Sequence, residues 1–217
     1  MSLKQSHDLI EALESRLMLP LPGVDAHRLM MPLHRMKYSI DQEKIKSARL
    51  GGVLIALYLK DGEWHIPLTL RHDYGGVHSG QISFPGGKME VTDPNIEFTA
   101  LREAQEEVGI APDHVKLLGA LSSLYVPVSN FNVVPTVSFI EIEPRFVMDS
   151  YEVKELIEVP LSLLLSNATI KHKDLLVGNN VLKEVPYFDV FDKVVWGATA
   201  MMLSEFIAVV RDSGATV

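Results

Sequence analysis

The run Leu101-Arg-Glu-Ala-Gln-Glu-Glu-Val-Gly-Ile110 constrains this chain more than any other stretch. It places glutamates at positions 103, 106 and 107. On a helix turning about 100° per residue, Glu103, Glu106 and Glu107 fall within roughly 100° of one another, on one face. Like charges so placed repel and gain nothing from packing. A hard divalent cation, Mg²⁺ or Mn²⁺, relieves the repulsion, because it takes oxygen ligands and shares them with phosphates. A solvated acidic face is the other reading of such a run, and the run alone does not choose between them.

The flanks bound the helix. Asp93 reads as its N-cap and Pro94 as its first residue, and Gly109 suits the left-handed position that ends it, so the helix is expected over residues 94–108. Leu101, Ala104 and Val108 form an apolar stripe away from the acids, and Arg102 stands four residues before Glu106, a spacing that suits an ion pair. Residues 80–87 read as a short strand ending in a glycine turn at Gly86-Gly87. Backbone there can come close to a metal or a phosphate. Arg71 and His78 flank the glycine loop and are candidates for binding phosphate.

Gly87 and Arg102-Glu-Ala-Gln-Glu-Glu-Val-Gly-Ile110 resemble the signature of the Nudix hydrolase family: Gly, five residues, Glu, seven residues, then Arg-Glu-apolar-x-Glu-Glu-x-Gly-apolar. Asp93 departs from it, standing where the first Glu is expected with eight residues rather than seven before Arg102. The resemblance implies an α/β fold, a Nudix-type α/β/α sandwich with a mixed central sheet. It implies a pyrophosphohydrolase that uses Mg²⁺ or Mn²⁺ held by Glu103, Glu106, Glu107 and the Gly87 carbonyl. Arg102, Glu103 and Glu106 would belong to the catalytic group, with Glu106 as one candidate base and Glu152 or Glu155, from a later loop, as the other. Arg71, His78, Gly86 and Gly87 would meet the substrate.

Upstream, Pro67-Leu-Thr-Leu-Arg71, Gly80 and Phe84-Pro-Gly-Gly87 are similar to the motif of the coenzyme A pyrophosphatase branch, as are the Tyr125-Val-Pro-Val-Ser loop and Trp196-Gly-Ala-Thr-Ala200. Pro67, His72 and Gly76 depart from that motif, and Gly76 removes a positive charge. The branch implies cleavage of coenzyme A or an acyl ester to 3′,5′-ADP and 4′-phosphopantetheine. Two alternatives stand beside it: the same chemistry on ADP-ribose, a dinucleotide or a nucleoside triphosphate, and a non-catalytic ligand-binding module.

Composition narrows the partners. The formal net charge is -8, from 28 acids and 20 bases. That argues against non-specific nucleic-acid binding, which depends on Lys and Arg neutralising phosphates. There is no cysteine, so neither a disulfide nor a thiolate metal site is available. Apolar runs such as residues 53–59 are too short to cross a bilayer. Residues 1–8 lack the apolar core of a signal peptide, so the expected location is cytoplasmic. The expected partner is a small nucleoside diphosphate derivative, with no nucleic acid or membrane, and the expected state a monomer or homodimer.

In chain order, a helix is expected from Ser6 to about Met18, and an extended segment over residues 26–32. Residues 51–60 and 63–71 form a hairpin through Asp61-Gly62. Residues 115–125 and 133–142 read as strands, 160–165 as a short helix, 171–187 as a hairpin, and 196–211 as a final helix. Phe131 and Trp196 are expected in the core rather than as base-stacking groups. Residues 1–50 are expected to be a helix and extended lead-in packed on a domain of residues 51–217.

Overall fold

The structure is a computed structural model, and it describes residues 3–36, 42–73 and 80–215. His78 and Gly76 lie outside the described residues.

The fold is built on the strand β1 (Arg49–Lys60). Asp61 and Gly62 both take positive φ, 52° and 79°, the twist that a two-residue hairpin turn needs, and the chain returns as β2 (Glu63–Arg71). Short β3 (Ile82–Ser83) pairs with β2, and β4 (Gly86–Lys88) pairs with β1. Gly86-Gly87 is therefore strand, not the glycine turn expected. The chain then forms the helix α5, Ile96–Val108, numbered after four N-terminal helices: α1 (Leu3–Leu17), α2 (Gly23–Leu29), α3 (Leu33–Met36) and α4 (Gln42–Lys46). Beyond it come β5 (Val115–Ala120), β6 (Leu124–Val126), β7 (Phe131–Ile140), β8 (Val153–Pro160) and α6 (Leu161–Leu165). The chain closes with β9 (Ile170–Val177), β10 (Asn180–Val190), β11 (Lys193–Trp196) and α7 (Gly197–Asp212).

The main sheet is mixed. Its path runs β3-β2-β1-β7-β5, with β4 on β1, β6 on β7 and β8 on β2. Among the described residues only the β1–β7 pairing is parallel, and the other pairings of this sheet are antiparallel. Strands β11-β10-β9 make a separate antiparallel sheet.

The alternation of β1 explains the layers. Leu54, Ala56 and Tyr58 pack with Ala100, Ala104 and Val108 of α5 on one face. Ile55 and Leu57 point the other way, into a cluster that holds Leu9 and Leu13 of α1 and Leu203 and Phe206 of α7. The result is an α/β/α sandwich with a mixed central sheet. No described helix is long and apolar enough to cross a membrane.

Three local expectations are corrected. Residues 26–29 belong to α2 rather than an extended segment, with Ala26 and His27 buried by it. The N-terminal helix begins before Ser6, so Ser6 does not cap it. Phe131 and Trp196 are half-buried rather than core.

Candidate active site

Helix α5 starts later than its sequence suggests. Asn95, in extended conformation, is the N-cap: its Oδ1 accepts from the Phe98 N–H at 2.8 Å. Asp93 is released from capping and is nearly sealed from water. It accepts two hydrogen bonds from Arg102, both at 3.0 Å, one from the Thr99 hydroxyl at 2.9 Å and one from the Glu90 N–H at 2.9 Å. The Arg102 guanidinium, first, and these other donors hold the Asp93 carboxyl well below the usual carboxylate range. The departure from the Glu of the signature thus yields a bidentate Arg–carboxylate pair that fixes Arg102. Gly109 ends the helix as expected, at φ 74°.

Arg102 Nη1 donates to Glu103 at 2.9 Å and to Glu106 at 3.0 Å, so these two carboxylates are gathered on one nitrogen. Glu107 turns inward. Its side chain is 2% exposed, against 16% for Glu103 and 59% for Glu106, so only the last faces water freely. Glu107 accepts from Arg71 Nη2 at 2.8 Å and from the Gly86 N–H at 3.1 Å. Arg71 also donates to the Gly86 carbonyl at 3.3 Å. The end of β2, the start of β4 and the last turn of α5 are therefore tied at one carboxylate. Burial pushes the Glu107 carboxyl up to about 7, against the pull of Arg71 and Gly86. Burial also raises Glu103, with Arg102 opposing.

Among the described residues no three carboxylates converge on a single point. The expectation of three acids gathered on one face is modified accordingly: two guanidiniums stand among them, Arg102 on Glu103 and Glu106 and Arg71 on Glu107. The donor set still fits a hard divalent cation. It is all oxygen, and at Gly87 the Glu103 carboxylate packs against the backbone. A Cβ on Gly87 would lie 2.5 Å from the Glu103 carboxylate, so that carboxylate lies directly against strand β4. Any side chain at that position would fill the space.

Glu152, just before β8, is exposed, and its charge helps to raise both Glu103 and Glu107, which places it in the same electrostatic field. Glu155 lies within β8, opposite Leu70, and its carboxylate takes the Lys193 ammonium at 2.8 Å. His72 Nε2 donates to the Ser150 carbonyl at 3.0 Å, in the same loop. Glu205 is not among the residues singled out from the sequence. Fully buried in α7, it accepts from the Gly23 N–H at 2.9 Å and the Ser122 hydroxyl at 2.7 Å, and it lies 2.9 Å from His27 Nε2. A glutamate inside an otherwise apolar helix was the available signal.

A NUDIX domain model matches residues 48–170. An uncharacterized Nudix hydrolase NudL of Pectobacterium atrosepticum is 38% identical over 136 residues, covering 62% of this chain and 69% of the relative. An uncharacterized Nudix hydrolase NudL of Yersinia pestis is 33% identical over 156 residues, covering 71% of this chain and 76% of the relative. A MutT/nudix family protein of known structure from Enterococcus faecalis aligns with a TM-score of 0.47 at 17% identity, covering 82% of this chain and 67% of that one. With the helix, the glycine strand and the mixed sheet in place, the chain belongs to the Nudix family of pyrophosphohydrolases.

Proposed function

We propose that this enzyme uses Mg²⁺ or Mn²⁺ to hydrolyse the diphosphate of coenzyme A or an acyl-coenzyme A, giving 3′,5′-ADP and 4′-phosphopantetheine. The observation that carries the reading is the junction at Glu107. The upstream motif that resembles the coenzyme A branch supplies Arg71 and Gly86, and both bond the third glutamate of the Nudix helix. One motif is thereby built into the metal-binding half of the other.

Glu103, Glu106, Glu107 and the Gly87 carbonyl would hold the cation. When bound, it supplies neutralisation of the diphosphate oxygens and a more acidic water. Arg102, fixed by Asp93, sets the positions of Glu103 and Glu106. Arg71, which bonds Glu107, would leave it when the cation binds and offer its guanidinium to a phosphate oxygen. Glu152, exposed just before β8, is the proposed proton acceptor for the attacking water, while Glu155 is tied to Lys193.

The test is a panel of coenzyme A, acetyl-coenzyme A, ADP-ribose, dinucleotides and nucleoside triphosphates with each metal, with products identified by mass. The reading expects the highest kcat/KM on coenzyme A or its ester. Higher turnover of ADP-ribose or a dinucleotide would move the substrate and keep the chemistry. No turnover of any member, unaltered by Glu106→Gln, would favour a binding module.

A further inference from the structure

We propose that Arg49 and Phe131 form a seat for a phosphate monoester and its purine, separate from the diphosphate that is cleaved. The inference rests on the reading of coenzyme A as substrate, and it names what would recognise the nucleotide end.

The geometry is at the start of β1 and β7, which run parallel with Arg49 opposite Phe131. The Arg49 guanidinium lies 4.2 Å from the centroid of the Phe131 ring. Its Nη2 donates to the Ser129 carbonyl at 2.6 Å, in the turn between β6 and β7. The side chain is thus held in place by neutral groups, and among the described residues it is paired with no carboxylate. Arg35 of α3 behaves alike, donating to the Tyr125 carbonyl of the same hairpin. By contrast Arg16, Arg28, Arg71 and Arg102 each reach a carboxylate, while Arg211, on the last turn of α7, ends on neutral acceptors.

The charge around this end is unlike that of the whole. The described residues 42–49, which lead into Arg49, hold three Lys and Arg against one Glu, in a chain of net charge -8. An anionic substrate repelled elsewhere is therefore attracted here. The site is also close to the chemistry. A Cβ on Gly51 would lie 3.2 Å from the Phe131 ring and 3.0 Å from the Gly87 carbonyl, so ring and carbonyl are no more than about 6 Å apart. Gly87 thus faces Glu103 with its Cα and adjoins the Phe131 ring with its carbonyl.

A planar guanidinium already stacked on one ring has a second face for a base, and its edge matches a phosphate. An oriented cation that has no counter-ion among the described residues, beside an aromatic ring, fits a nucleoside that carries its own phosphate. Coenzyme A carries such a group at the ribose 3′ position. Dephospho-coenzyme A and ADP-ribose lack it, so the seat would also discriminate between the enzyme readings.

The experiment compares kcat/KM for coenzyme A and dephospho-coenzyme A in the parent, Arg49→Gln, Arg49→Lys and Phe131→Leu, with Mn²⁺. The parent is expected to prefer coenzyme A by about ten- to a hundredfold, through KM, the range of a charge-assisted hydrogen bond. In Arg49→Gln the ratio should fall close to one with kcat largely kept, and Arg49→Lys should restore part of it. No preference in the parent, or a ratio unchanged in Arg49→Gln, would overturn the seat. Calorimetry of 3′,5′-ADP against 5′-AMP separates the two claims. Were neither coenzyme to be cleaved, the substrate reading would fail. The seat would still stand if 3′,5′-ADP bound at least about tenfold tighter in an Arg49-dependent way, and equal binding of the two nucleotides would remove it.

Discussion

Replacing Gly87 by alanine should remove activity while leaving the fold intact. The new Cβ would lie 2.5 Å from the Cδ and Oε2 atoms of Glu103 and 2.7 Å from Oε1. What it meets is the far end of a side chain that can rotate, so the collision is relieved by moving that carboxylate by about 1 Å to ordinary contact distance. The backbone at Gly87 is not in the left-handed region, and alanine there also lowers the entropy of the unfolded chain, worth about 0.4–1 kcal/mol. Stability should therefore change by no more than about 1 kcal/mol, or about 4 °C in Tm for a chain of this size. A displacement of that scale in a ligand costs about a hundredfold in rate. Gly86→Ala is the control. Gly86 has φ 153°, and its Cβ would lie 2.4 Å from the Gly52 carbonyl oxygen and 2.6 Å from the Val53 Cα, atoms of β1 that cannot step aside. That substitution should cost more than about 3 kcal/mol. The assay is thermal melting beside steady-state turnover of the best substrate. The reasoning is refuted if Gly87→Ala keeps more than half of the parent kcat/KM, or if it melts as low as Gly86→Ala.

Glu106→Gln should lower kcat by about a hundredfold or more with Tm unchanged, since its carboxylate is exposed and its loss leaves no buried charge; near-parent turnover would speak against a ligand role. Of the two later acids, Glu152→Gln should lower kcat by about a hundredfold with KM little changed, whereas Glu155→Gln should not, and the reverse result would exchange their roles. Glu205→Ala strands His27 and Ser122 in the core, which should cost about 3–5 kcal/mol and about 6–20 °C in Tm; scanning calorimetry showing less than about a 2 °C change would contradict it. Glu107 sits at about 7 in the fold against 4.5 unfolded, so between these values the folded state holds a proton that the unfolded chain has released. Without cation, stability should fall as pH rises through this window, while Mn²⁺ affinity should rise and level off above about 7, because the ligand must be deprotonated; affinity flat from pH 5 to 8, by calorimetry, would exclude Glu107 as a ligand.

Much of this was legible in the residues. The Asp61-Gly62 turn carries the positive φ values it requires, and the stripe of Ala104 and Val108 faces the sheet as its spacing demanded. The helix end at Gly109 is where a left-handed glycine belongs. What misled was local competition. Asp93-Pro94 and Asn95 offer rival caps, and Asn95 won, because Arg102, Thr99 and the Glu90 N–H had claimed Asp93. Gly86-Gly87 reads as a turn because glycine permits one, yet it is strand because α5 and β1 leave no room for side chains there. The inward turn of Glu107 could not be read from helical spacing. It depends on Arg71, 36 residues earlier, reaching it from the end of β2. Likewise, nothing local tells that Glu205 would serve donors from Gly23, His27 and Ser122.

A crystal soaked in Mn²⁺ and measured at the manganese edge examines the metal assignment without reference to any substrate. An anomalous peak is predicted within about 2.0–2.3 Å of oxygens of Glu103 and its neighbours Glu106 and Glu107, with Arg71 withdrawn from Glu107. Carboxylates still resting on Arg71 and Arg102, with no peak between them, would contradict it.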